Sequence, residues 1–161
     1  MVNWRAARTT DDAARSLLAE YFAALAAAFG DDAFRPSFPD PAEFEPPEGV
    51  FLVVESEDLA GEPADVGCGG IRSLGTSPEG LRRFEVKHLF LQPHVRGMGF
   101  GRALLAELER RGRELGAEEL VLDTNSTLEA AGGLYRSTGF VPVPAYNDNP
   151  DATDWYAKRL S

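Results

Sequence analysis

The sequence predicts a mixed α+β fold built on one sheet that contains both parallel and antiparallel strands. Two observations predict it. Segments with strand-like and helix-like periodicity follow one another in the order β-α-β-β-β-α-β-α-β-β along the 161 residues. Within that order, the unit made of residues 81–91, 99–115 and 119–123 needs a right-handed parallel crossover, while the other neighbouring strands can pair as hairpins.

Residues 2–8 make a first strand. Thr10 then stands where an N-cap belongs, and Leu17, Leu18, Tyr21, Phe22 and Leu25 follow helical spacing as far as Gly30. Residues 31–49 hold five prolines and read as a long loop, the kind that often serves as a lid or a binding loop. Strands over 50–55 and 63–73 flank a polar turn and form a hairpin. A turn at 75–80 leads into the strand 81–91, which Pro93 stops. The next helix, 99–115, places Leu104, Leu105 and Leu108 on one face and the i,i+4 pairs Glu107–Arg111 and Glu109–Arg113 on the other. "ELVLD" (119–123) is a buried strand. A short helix over 127–138 follows, with Ser126 as its cap and Gly139 at a left-handed C-terminal position. Residues 140–146 and 154–160 are the last two strands. No internal repeat or linker divides the chain, so residues 1–161 read as a single domain.

Composition narrows the function. A net charge of −10 argues against a general nucleic-acid binder and against an anionic membrane surface. The lone Cys68, set between glycines in an apolar strand, has no partner for an intrachain disulfide and reads as a small buried hydrophobe. The opening MVNWRAARTTDD lacks the apolar core of a signal peptide, and the longest apolar run, 21–29, is too short for a bilayer. A cytoplasmic location is the expectation.

The chemistry is concentrated in "LFLQPHVRGMGFGRALL". Gly97, Gly99 and Gly101 lie between an apolar strand and a helix. The first turn of a helix leaves its N–H groups unpartnered and carries partial positive charge, and glycines before it let an anion approach the backbone. A dinucleotide fingerprint fails, because its third glycine would fall at Arg102, and a P-loop fails at Gly101-Arg102-Ala103. What remains, Arg96-Gly97-x-Gly99-x-Gly101, resembles the pyrophosphate loop of the GNAT (Gcn5-related) N-acetyltransferases. "EVKHLFLQPHVRGMGFGRALL", "LVLDT" (120–124) and "LYRSTGF" (134–140) extend the resemblance to most of the chain, roughly residues 3–160.

That resemblance implies a six- to seven-stranded mixed sheet with helices on both faces, and acetyl-coenzyme A as donor, with no metal. It places the pyrophosphate on the amides of Arg96, Gly97, Met98, Gly99, Phe100, Gly101 and Arg102, and the pantetheine arm along Phe90, Leu91 and Gln92 in a gap between splayed strands. An amide near Leu91 would then serve as oxyanion donor. Tyr135 matches the tyrosine that protonates the leaving thiolate, and Glu85 matches the acidic residue that takes the amine's proton directly or through water. His88 is an alternative base, although strand alternation puts it on the face opposite Glu85 and Leu91. One departure is visible: the asparagine common seven residues before the tyrosine is Leu128 here, and Asn125 is the nearby substitute.

For the acceptor side, Phe29, Arg35, Phe38, Phe44, Tyr146, Asn147, Asn149 and Trp155 are candidate wall residues. The expected activity is acetyl transfer to a primary amine of a small molecule, with a homodimer compatible and no nucleic acid or membrane involved. The rival readings are acetylation of a protein amine, and an acyl-coenzyme A-binding regulatory module without turnover.

Overall fold

The computed structural model describes residues 1–30 and 37–160, with the backbone alone at Glu129. Among these, the elements are β1 (Asn3–Ala6), α1 (Asp12–Phe29), β2 (Gly49–Glu57), β3 (Pro63–Thr76), β4 (Arg82–Leu91), α2 (Phe100–Glu114), β5 (Glu119–Thr124), α3 (Glu129–Ser137), β6 (Val141–Val143) and β7 (Asp154–Arg159). Short 3-10 turns fill Pro41–Phe44 and Pro93–Val95. The strands form one sheet in the order β1-β2-β3-β4-β5-β7-β6. The β4–β5 pair is parallel and the other five are antiparallel, as the strand–helix–strand unit required.

The period of two divides the sheet between two cores. Along β2, Val50, Leu52 and Val54 join Leu104, Leu105 and Leu108 of α2 and Tyr135 of α3. Phe51 and Val53 point the other way and meet Leu17, Leu18 and Phe22 of α1. The helices therefore lie on both faces of the sheet. On α2 the pairs Glu107–Arg111 and Glu109–Arg113 close at 2.7 and 3.0 Å.

Four local expectations are corrected. Helix α1 starts after Asp11, not Thr10, because the Asp11 N–H returns to the Arg8 carbonyl and the Asp11 side chain accepts from the Arg8 N–H, which holds Thr10 in a turn, so the first helical bond runs from Arg15 to Asp11. β1 is shorter than 2–8. Helix α3 starts at Glu129 with Leu128 before it, not after Ser126, because the Asn125 side chain accepts from the Thr127 amide and folds those residues into a turn. β6 ends at Val143, because Pro144 has no N–H to donate and the side chains of Asn147 and Asn149 take the amides of Asn149 and Asp151 into turns.

Candidate active site

Strands β4 and β5 pair only from Arg83–Glu119 to Glu85–Val121, and then diverge. Between them opens a cleft of about 260 Å3, with Val86 to Leu89 on one side and Asp123, Thr124 and Asn125 on the other. A bulge lies at its lip. Gly70 pairs with Lys87 and Cys68 with Phe90, so Gly69 alone faces both His88 and Leu89. His88 takes the extra position at φ 58°, and its carbonyl accepts from the Cys68 thiol at 3.4 Å.

His88 and Leu91 lie on opposite faces, as alternation predicts, but the bulge separates Glu85 from Leu91: Phe84 and Val86 pack on the α2 side, so Glu85 between them faces the α1 side with His88. The His88 ring packs against Tyr21, Phe22 and Phe44 on the α1 side, where Phe90 also lies. Leu91 packs on the opposite, α2 side, between Gly67 and Gly101. His88 is therefore on the α1 face and Leu91 is not. The α1-side burial of His88 pushes its pKa down to about 3, with Lys87 and Arg72 adding smaller repulsions, so the ring is neutral at physiological pH.

Beyond the cleft the chain makes the glycine-rich loop. Gly97 and Gly99 have φ of 78° and 83°, the left-handed region that favours glycine, and nothing lies within 4 Å of where a Cβ would stand on either. Gly99 precedes α2, whose first amides, from Phe100 to Arg102, have no intrahelical acceptor. Gly101 acts through packing instead. A Cβ there would stand 3.1 Å from Leu134, so its absence lets α2 and α3 approach. Met98 projects to solvent. The Gln92 amide donates to Val66, which turns the polar groups of Leu91 to the unpaired edge of β4, where its carbonyl accepts from Arg96 Nε at 2.9 Å. Arg102 reaches Ser137 of α3 at 3.1 Å. A strand edge without a partner, continuous with an uncovered helix N-terminus, fits an extended acyl carrier ending in a pyrophosphate.

Tyr135 lines the cleft from α3. Its ring is held against Phe140 and Tyr156 at centroid distances of 6.0 and 6.1 Å. The helix end fixes it further: Phe140 N–H returns to the Tyr135 carbonyl and Gly139 N–H to that of Arg136, around Gly139 at φ 98°. Burial first, and then the charge of Asp123, push the phenol pKa upward, so Tyr135 carries its proton at neutral pH. Asn125 and Leu128 also line the cleft, but the Asn125 amide is committed, donating to the Asp151 carbonyl and accepting from Thr127.

Glu85 lies elsewhere. It is 1% exposed, with Oε1 on Arg72 at 2.9 Å and Oε2 accepting from the Tyr146 hydroxyl at 2.6 Å. Together with Arg72, Arg83, Tyr146 and Asn147 it lines a second cavity of about 290 Å3. Glu85 and Tyr135 therefore face different cavities, with both oxygens of Glu85 engaged. Of the acceptor-side candidates, Phe29 and Asn149 line the Tyr135 cleft. Phe38 packs on Phe22, and Phe44 is buried in the α1-side core. Trp155 Nε1 donates to Asn147 Oδ1 at 2.9 Å, and Asn147 Nδ2 donates to Asp123 at 2.7 Å. Arg35 falls outside the described residues. Sequence reasoning did not single out Asp123, Arg72 or Tyr21. The only sequence sign of Asp123 is an acidic residue closing an apolar strand.

The profile of the Acetyltransferase (GNAT) family matches residues 12–140. This chain belongs to the GNAT family. An uncharacterized N-acetyltransferase of Schizosaccharomyces pombe is 33% identical over 108 residues, 67% of this chain and 61% of its own length. The chain thus spans less than two thirds of that relative. A GNAT-family acetyltransferase from Staphylococcus aureus superposes with a TM-score of 0.72 at 16% identity, over all of both chains. A chain of the NatC complex bound to Gag peptide and coenzyme A superposes at 0.68 with 15% identity, over 99% of each. At such identities these two structures speak for the fold alone.

Proposed function

We propose that this protein transfers the acetyl group of acetyl-coenzyme A to a primary amine of a small molecule, by direct attack. One observation carries the reading: Tyr135 lines the cleft where β4 and β5 part, and β4 runs on from that cleft through Leu91 to the glycine-rich start of α2. Gly97 to Arg102 would hold the pyrophosphate, and Phe90, Leu91 and Gln92 the pantetheine arm. The bound donor supplies an activated thioester carbonyl. Direct attack is favoured because Cys68 is fully buried and its burial raises the thiol pKa, which makes it a poor nucleophile.

Tyr135 then has the role of acid, since its proton is retained at neutral pH and a thiolate leaves more readily when it receives one. An alkyl amine, with a pKa of about 10.4, must lose a proton before it attacks. We assign that proton to Glu85 through a relay, because direct contact is closed by Arg72 and Tyr146. The aromatic wall of Tyr21, Phe22 and Phe29 suits a compact acceptor.

The test is thiol release from acetyl-coenzyme A with a panel of small primary amines and one peptide with a free N-terminus. Turnover on small amines is expected. Turnover on the peptide alone would move the acceptor to proteins. Coenzyme A binding with no turnover on any of them would leave a binding module.

A further inference from the structure

We propose that Asp123 is the ammonium-binding carboxylate of the acceptor subsite, and that the acceptor is a primary ammonium carried on a flat apolar body. This rests on the acetyltransferase reading above and names its substrate class.

The cleft has two unlike sides. Tyr21, Phe22, Leu25 and Phe29 of α1 form an apolar, mostly aromatic wall. Opposite stands Asp123, at the end of β5 where the strands part. Its carboxylate is aimed by a relay. Trp155 Nε1 at 2.9 Å and the Asn149 amide at 3.2 Å both donate to Asn147 Oδ1. That fixes which end of the amide is oxygen, so Asn147 Nδ2 must donate to Asp123 Oδ2, at 2.7 Å. The negative charge of Asp123 acts on Tyr21 and Tyr135, the two phenols that line the same cleft, and also on Tyr146 of the neighbouring Glu85 cavity.

The two buried carboxylates of this sheet have cations: Arg72 serves Glu85 and Arg83 serves Glu119. Among the described residues no Lys or Arg forms an ion pair with Asp123. Lys87 lines the same cleft from β4 and does not reach it. A half-buried carboxylate without a cation is costly, and an incoming ammonium would relieve that cost while its body stacks on the α1 wall. A cation held there lies in the cleft that Tyr135 also lines.

The test uses 2-phenylethylamine as acceptor and 2-phenylethanol, the same body without charge, as competitive inhibitor. Asp123→Asn keeps an oxygen that accepts from Asn147 but removes the charge. It is expected to raise the acceptor KM at least tenfold, and to leave the KM for acetyl-coenzyme A and the inhibition constant of 2-phenylethanol within twofold. Trp155→Phe, which removes one of the two donors that hold Asn147 Oδ1, should shift the acceptor KM in the same direction by a smaller factor. An unchanged acceptor KM in Asp123→Asn overturns the assignment. So does an equal loss for amine and alcohol, which marks a structural role, or turnover by the wild type only on amines that lack an apolar body. No turnover by the wild type on any amine defeats the acetyltransferase reading itself.

Discussion

Tyr146 donates its hydroxyl hydrogen to Glu85 at 2.6 Å, across 61 residues of chain, and by doing so ties the loop after β6 to the middle of the sheet. Glu85 is 1% exposed and shares Arg72 with Glu43. A buried carboxylate in this setting is a structural anchor as well as a candidate base. Removing it leaves the partly buried Arg72 with Glu43 alone and the Tyr146 hydroxyl without its acceptor, so Glu85→Ala should cost about 3 kcal/mol in urea denaturation, at the lower end for a broken buried pair. Tyr146→Phe should cost about 1.5 kcal/mol, the scale of one hydrogen bond to a charged group.

The relay assigned to Glu85 has a separate kinetic signature. In Glu85→Gln the acetylation rate should fall at neutral pH and partly recover as pH rises, because more of the amine is already neutral. Amines of lower pKa should recover most. A kcat/KM–pH profile on two amines of different pKa checks it, and profiles parallel to wild type with no loss of rate would leave Glu85 a purely structural role.

Gly99 sits at φ 83° with open space around it. Gly99→Val therefore meets no clash within the protein, and its backbone strain should cost about 1–2 kcal/mol. The side chain would instead stand where an anion must approach the start of α2. Coenzyme A affinity, read by calorimetry on the folded variant, should drop by an order of magnitude or more. An undiminished affinity would remove the loop from the binding site.

Tyr135→Phe keeps the ring contacts with Phe140 and Tyr156 and deletes the proton. We expect kcat to fall by about 10²-fold, the low end for a positioned acid, since a thiolate is already a good leaving group. The KM for acetyl-coenzyme A should move little. Full turnover in the variant would reduce Tyr135 to packing.

His88 offers a test by pH. Its folded pKa is lowered to about 3 by burial, against about 6.5 when unfolded. Between those values the unfolded chain binds the extra proton, so stability rises with pH through the window and is lost as pH falls below about 6.5. The slope from this one group approaches about 1.4 kcal/mol per pH unit. His88→Asn tolerates the positive φ without titrating, and its stability should decline less steeply than wild type over the same acid range. Denaturation midpoints at pH 7, 6, 5 and 4 for both proteins decide it.

Much of this molecule is legible in local pattern. The order of seven strands and three helices, the parallel β4–α2–β5 unit, the i,i+4 pairs of α2, and the left-handed position at Gly139 follow from periodicity and from the few residues that accept such backbone angles. These depend on neighbours within about a turn or a hairpin, so the sequence by itself determines them. The face that Glu85 shares with His88, and not with Leu91, does not. It is decided by one extra residue in the β4 register, where Gly69 opposes two positions, and a bulge is a property of strand pairing that no single strand announces. The partners of Glu85 likewise come from β3 and from the loop after β6, brought together only by sheet order and closure. Asp123 stands at the mouth of the cleft because β4 and β5 separate after three paired positions, and Trp155, its cross-strand partner on β7, aims it through Asn147. Short-range chemistry in the chain sets the elements, whereas long-range packing decides which titratable groups meet.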